Sequence, residues 1–152
     1  MPQYLTKLGQ LSSLVDHIAQ EVAKVVPCIS ATNPGFDEFN LPSVDEFVLY
    51  VTVRSCTTVP ELILSLVYLS RFQQNLSSCA IGRPSAPHRL FITALNLAHK
   101  VHNDDSPDNA CWSQLSSIPE YGFLGFSKFE VNLMERQFLA VLDWNVHIDL
   151  DF

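Results

Sequence analysis

Basic residues are scarce here: nine lysines and arginines, scattered along 152 residues, face sixteen acidic residues for a net charge of −7. No basic cluster exists to follow a phosphate backbone, so nucleic-acid binding is disfavoured. Charge of either sign is also low, 16% against 47% hydrophobic residues. Such a chain has material for one packed core and is not composed like a disordered one. Long hydrophobic runs are missing. The most apolar helical candidate, Leu62 to Leu69, is far shorter than the ~20 residues a bilayer requires. No apolar block follows Lys7 and Gln10, so no signal peptide is expected, and the default location is the nucleus and/or the cytoplasm. Glycine is rare, with five in all. There is no glycine-rich phosphate loop, no nucleophile elbow and no His-Glu-x-x-His. The four cysteines, Cys28, Cys56, Cys79 and Cys111, form no Cys-x-x-Cys pair and read as free thiols in a reducing compartment.

What is present is helical periodicity. Leu5, Leu8, Leu11, Val15, Ile18, Val22 and Val25 form one apolar stripe that Pro27 ends. Residues 28 to 42 contain Asn33-Pro34-Gly35 and Pro42 and read as a linker. Five helices are predicted beyond it. The first runs from about Val44 to Cys56, although Val48 to Val53 would also suit a strand; no second strand stands near to pair with it. The second begins at Thr58-Val59-Pro60-Glu61, with capping-box spacing, and reaches about Leu76. The third, from about Pro87 to His102, is apolar around much of its circumference and belongs at the centre. The fourth spans about Asn109 to Ser117. The fifth starts at a second capping-box pattern, Ser127 to Glu130, and runs to about Trp144.

Two charges and one histidine pair invite a functional reading. His99-x-x-His102, with Asp104, Asp105 and Cys111 downstream, has ligand types for a metal, but no pair has the spacing of a zinc site. The plainer reading is two partly exposed histidines at a helix end. Lys100 closes the apolar third helix, and Glu135 lies among Val131, Leu133, Met134, Phe138 and Leu139. By periodicity alone these are a snorkelling lysine and an exposed glutamate.

Four blocks in register change that reading: Pro87-His88-Arg89-Leu90-Phe91-Ile92-Thr93-Ala94-Leu95-Asn96-Leu97-Ala98-His99-Lys100; Asn103-Asp104-Asp105-Ser106 with Trp112; Val131-Asn132-Leu133-Met134-Glu135-Arg136-Gln137-Phe138-Leu139; and Leu142-Asp143-Trp144-Asn145. From about Ser43 to Ile148 the sequence resembles a cyclin box, and most of all the fungal PCL/PHO-type cyclins that partner a phosphate-response kinase. The resemblance implies an all-α fold: residues 1–27 as a helix packed on the box, 28–42 as linker, 43–152 as one cyclin box of five helices, with no second repeat. It implies a regulatory subunit rather than an enzyme, without cofactor, metal, small-molecule substrate, membrane or nucleic acid. The partner is a cyclin-dependent serine/threonine kinase, and the setting cell-cycle or phosphate control. Lys100 and Glu135 then take the positions that bind the start of the kinase C-helix. Leu97, Val101, Leu139, Trp144 and Val146 take the positions of the apolar contacts around them.

The sequence departs from many cyclins in two places. The usual arginine–aspartate pair between the first two box helices is replaced by Val48 and Ser70, so both charges are absent together and neither is stranded. The substrate-docking patch on the first box helix is not recognisable. A kinase activator, a binder that occupies the kinase without activating it, and a scaffold like the transcription-factor relatives all use the same fold. A helical metal protein built on His99, His102 and Cys111 is a further alternative.

Overall fold

The computed structural model describes residues 3–29 and 40–148, with side chains from residue 11 onward. The side chains of Leu5 and Leu8, linker residues 30–39 and residues 149–152 lie outside the described residues. Six α-helices appear in order: α1 Gln3–Ala23, α2 Val44–Arg54, α3 Val59–Asn75, α4 Ala86–His102, α5 Asn109–Ser116 and α6 Lys128–Val141. Among the described residues there is no strand, and the only bridges are isolated ones, Cys28 with Gly82 and Ile118 with Phe123. The fold is all-α.

The β-branched stretch of α2 is helical because one helical face of it has somewhere to go. Phe47, Val48, Val51 and Thr52, spaced as one side of a helix, are buried, while Leu49 and Val53 stay exposed. Ser43 accepts the N–H of Glu46 at 3.2 Å and caps the helix. At its other end, Arg54 donates to the carbonyls of Gln114 and Ser117 and so ties α2 to the end of α5.

The third predicted helix is indeed central. In α4 both faces are buried, from Phe91 and Ile92 through Leu95, Asn96 and His99, and it packs against each of the other five α-helices. Val15, Ile18, Ala19 and Val22 place the exposed-to-buried alternation of α1 on α2, α3 and α4, within the same hydrophobic cluster. Trp112 of α5 and Phe138 of α6 enter that cluster from the other side.

Two expected termini differ in detail. Only half of the Ser127 capping box forms: Ser127 accepts the N–H of Glu130 at 3.1 Å, but the Glu130 carboxylate faces Arg89 at 3.2 Å. An ionic partner on α4 has taken the side chain that would have reached back. The last helix also stops at Val141 rather than near Trp144, because Asp143 and Trp144 both adopt left-handed backbone, at φ 53° and 59°.

Candidate functional site

Lys100 sits in the last turn of α4, and Glu135 in the middle of α6. The packing of α4 on α6 brings them together. Lys100 Nζ donates to Glu135 Oε1 at 2.8 Å and to Oε2 at 2.9 Å. The pair is partly exposed, with 31% of the lysine and 20% of the glutamate side chain accessible. A surface ion pair of this kind adds little to stability, so its geometry is more informative than its energy. Asparagines surround it. Asn109, the first residue of α5, contacts both members, and Asn96 and Asn132 contact Asn109. Sequence reasoning passed over these three, because a lone polar residue near a helix end reads as a cap or a solvated position.

Beside Glu135 lies a shallow cleft lined by Asn132, Arg136, Leu139 and Trp144. Trp144 is 65% exposed. Its position comes from the end of α6: Leu142 donates to Phe138 O at 3.0 Å, and Trp144 folds back to Leu139 O at 2.9 Å. Two successive left-handed non-glycine residues cost about 1–2 kcal/mol each. Their effect is to stand a large apolar side chain in solvent next to a carboxylate. The segment that follows is pinned by α3, with Tyr68 donating to Val146 O at 2.8 Å and Arg71 to Asn145 O at 3.0 Å.

The other apolar candidates divide. Val101 is exposed and lies next to Lys100. Leu139 is nearly buried at the floor of the cleft. Leu97 is sealed in the core, and Val146 is half-buried against it; neither lines the cleft. The two positions of the missing arginine–aspartate pair do not meet either. Val48 is fully buried, and Ser70 is exposed and receives Gln74 at 3.5 Å.

His99 corrects an expectation. It is not partly exposed but buried, whereas His102 on the next turn is exposed. His99 Nε2 lies 2.8 Å from Thr57 Oγ1 and 3.2 Å from Glu61 Oε2, and its ring meets Trp112 edge-on at 5.0 Å. The two histidines therefore do not converge, and among the described residues no three histidine, cysteine, aspartate or glutamate side chains gather as a metal site. Burial holds the His99 pKa below the ordinary 6.5, against the opposing pull of Glu61. A depressed histidine pKa means the folded state binds fewer protons than the unfolded one. Stability is then present above pH 6.5 and is lost as pH falls below it. Denaturant midpoints measured from pH 7.5 to 5.5 are expected to fall, and His99→Gln to flatten that slope; an unchanged slope in the variant would assign the effect elsewhere.

The family model for cyclins matches residues 13–146. The chain belongs to the cyclin family. The cyclin match takes in the second half of α1 as well as α2 to α6. Among curated relatives, PHO85 cyclin-1 of Saccharomyces cerevisiae is 33% identical over 97% of the chain and 52% of its own length. PHO85 cyclin-2 of the same yeast is 31% identical over 91% of the chain and 43% of its length. PHO85 cyclin-9 is 29% identical over 89% and 42%. The chain thus spans about half, or less, of the cyclins it matches. No solved structure matches it.

Proposed function

We propose that the chain is the regulatory subunit of a cyclin-dependent serine/threonine kinase, docking on the start of the kinase C-helix and activating it in cell-cycle or phosphate control. The observation that carries this reading is the Lys100–Glu135 pair, held at 2.8 Å on a partly exposed face beside an exposed Trp144. A kinase is active when a β3 lysine pairs with a C-helix glutamate. The C-helix has inward and outward positions, and a rigid surface that fits only the inward one shifts the balance by its differential affinity. Trp144 and Val101 supply apolar area for such a helix, while Lys100 and Glu135 supply a donor and an acceptor for its terminal backbone groups. The names of the three yeast relatives, each a PHO85 cyclin, support a partner of the phosphate-response class. No catalytic role, cofactor, nucleic acid or small-molecule substrate belongs to this reading, and the expected location is the nucleus and/or the cytoplasm. No helix of the described residues is long and apolar enough to cross a membrane.

The test is a pull-down with a cyclin-dependent kinase of the phosphate-response class, followed by a phosphorylation assay, with wild type beside a Lys100→Glu, Glu135→Lys double reversal. The reversal keeps the pair's internal attraction and inverts what it offers a partner. A binding loss of about 2–5 kcal/mol, with kinase activity lost in step, is expected. Tight wild-type binding without activation would leave a kinase binder that is not an activator, and absence of binding would overturn the docking reading.

A further inference from the structure

We propose that Asn109 is a positioning residue that sets Lys100 and Glu135 in their partner-binding geometry before the kinase arrives; this rests on the reading that the pair is the kinase site. Asn109 Oδ1 accepts from Lys100 Nζ at 2.9 Å and from Asn96 Nδ2 at 3.0 Å. Its Nδ2 donates to Asn132 Oδ1 at 2.6 Å and to Glu135 Oε2 at 2.7 Å. A side-chain amide has two N–H donors and two acceptor lone pairs, so all four are engaged. Among the described residues, only Asn109 bonds both members of the pair.

The chemistry of the neighbours fixes which way the amide faces. An ammonium offers only donors and a carboxylate only acceptors. The carbonyl oxygen must therefore meet Lys100 and the NH₂ must meet Glu135. Lys100 in turn is held from two sides, by both carboxylate oxygens of Glu135 and by Asn109. A lysine that would otherwise sample many rotamers is held in one.

The fold supplies the anchor. Asp108 caps α5 by accepting the N–H of Cys111 at 2.9 Å. Trp112, three residues beyond Asn109 and fully buried, fixes the rotation of α5 about its axis. Asn109 thereby projects into the seam between α4 and α6. Side chains ordered in advance do not have to be ordered on association, and affinity rises accordingly.

The test is a mutant cycle. Kd for a phosphate-response cyclin-dependent kinase is measured for wild type, Asn109→Ala, the pair variant Lys100→Met/Glu135→Gln, and all three changes together, with thermal unfolding of each. Asn109→Ala is expected to weaken binding about tenfold. The triple variant is expected to bind no more weakly than the pair variant, because the asparagine acts only through the pair. Asn109→Asp keeps the size and the acceptor for Lys100 but turns an oxygen toward Glu135 and Asn132, so it is expected to weaken binding as well; it also serves if Asn109→Ala does not fold. Full rescue by aspartate, an unchanged Kd for Asn109→Ala, or an equal weakening in both backgrounds would overturn the proposal and leave Asn109 a spacer between helices. Wild-type affinity in the pair variant would overturn the docking reading itself, and this inference with it.

Discussion

Trp112→Ala is expected to destabilise the protein by about 3–5 kcal/mol, measured by denaturant unfolding. Trp112 is the largest of the fully buried side chains. It carries α5 into the hydrophobic core and packs on the His99 ring at 73°. Removing it leaves a cavity that α4, locked by neighbours on all sides, is poorly placed to fill. The indole N–H finds no acceptor among the described residues. Trp112→Phe deletes that unpaired donor along with some volume, so it is expected to cost far less than alanine. A loss below about 1 kcal/mol for the alanine variant would show that the site collapses freely. Because Trp112 also orients α5, the alanine variant is expected to loosen Asn109 as well.

Glu61→Ala is expected to cost about 2–4 kcal/mol. Glu61 is a nearly buried carboxylate, 4% exposed, with three jobs. It accepts the Thr58 N–H at 3.0 Å to close the α3 capping box, accepts Asn103 Nδ2 at 3.0 Å, and lies 3.2 Å from His99. Alanine would remove the cap and leave His99 and Asn103 facing an empty site. Burial alone raises the Glu61 pKa, but hydrogen bonds from Asn103 and the Thr58 backbone, with the fields of His99 and His102, outweigh it and hold the carboxyl below the ordinary 4.5. The folded state therefore binds fewer protons than the unfolded one. The stabilisation is full above pH 4.5 and is lost as pH falls through the lowered folded value. Glu61→Gln keeps the shape without the titration. Its stability gap to wild type is expected to narrow below pH 4.5, and a gap that stays constant there would rule out the carboxylate as its source.

Glu61 and His99 belong to a polar layer between α3 and α4 that periodicity reads poorly. Glu61 is visible in the sequence as a capping residue, because Thr58 and Glu61 have the right spacing. Nothing in that spacing says the carboxylate also meets a histidine of α4 and the asparagine just after that helix, 38 and 42 residues further along the chain. His99 likewise looks like a helix-end residue until α3 and α5 close over it. The pairing of His99 with His102 came apart at the same point. Two histidines three residues apart share a face only loosely, and burial pulled one inward while leaving the other in solvent.

The sequence by itself determined the helices, since apolar spacing, N-cap residues and prolines act within a few residues of one another. The centrality of α4 was equally local information, because a helix apolar all round has to be surrounded. The resemblance in four blocks named the family and pointed to Lys100 and Glu135. Tertiary structure alone decided what surrounds that pair. Asn96, Asn109 and Asn132 come from three helices, and their convergence depends on how α4, α5 and α6 cross. Only the packed chain also shows that Leu97 is sealed in the core while Trp144, lifted by two left-handed residues, stands exposed. The reason is physical: hydrogen bonds between distant side chains and the strain of a helix end are fixed by the sum of all packing contacts, which no local pattern encodes.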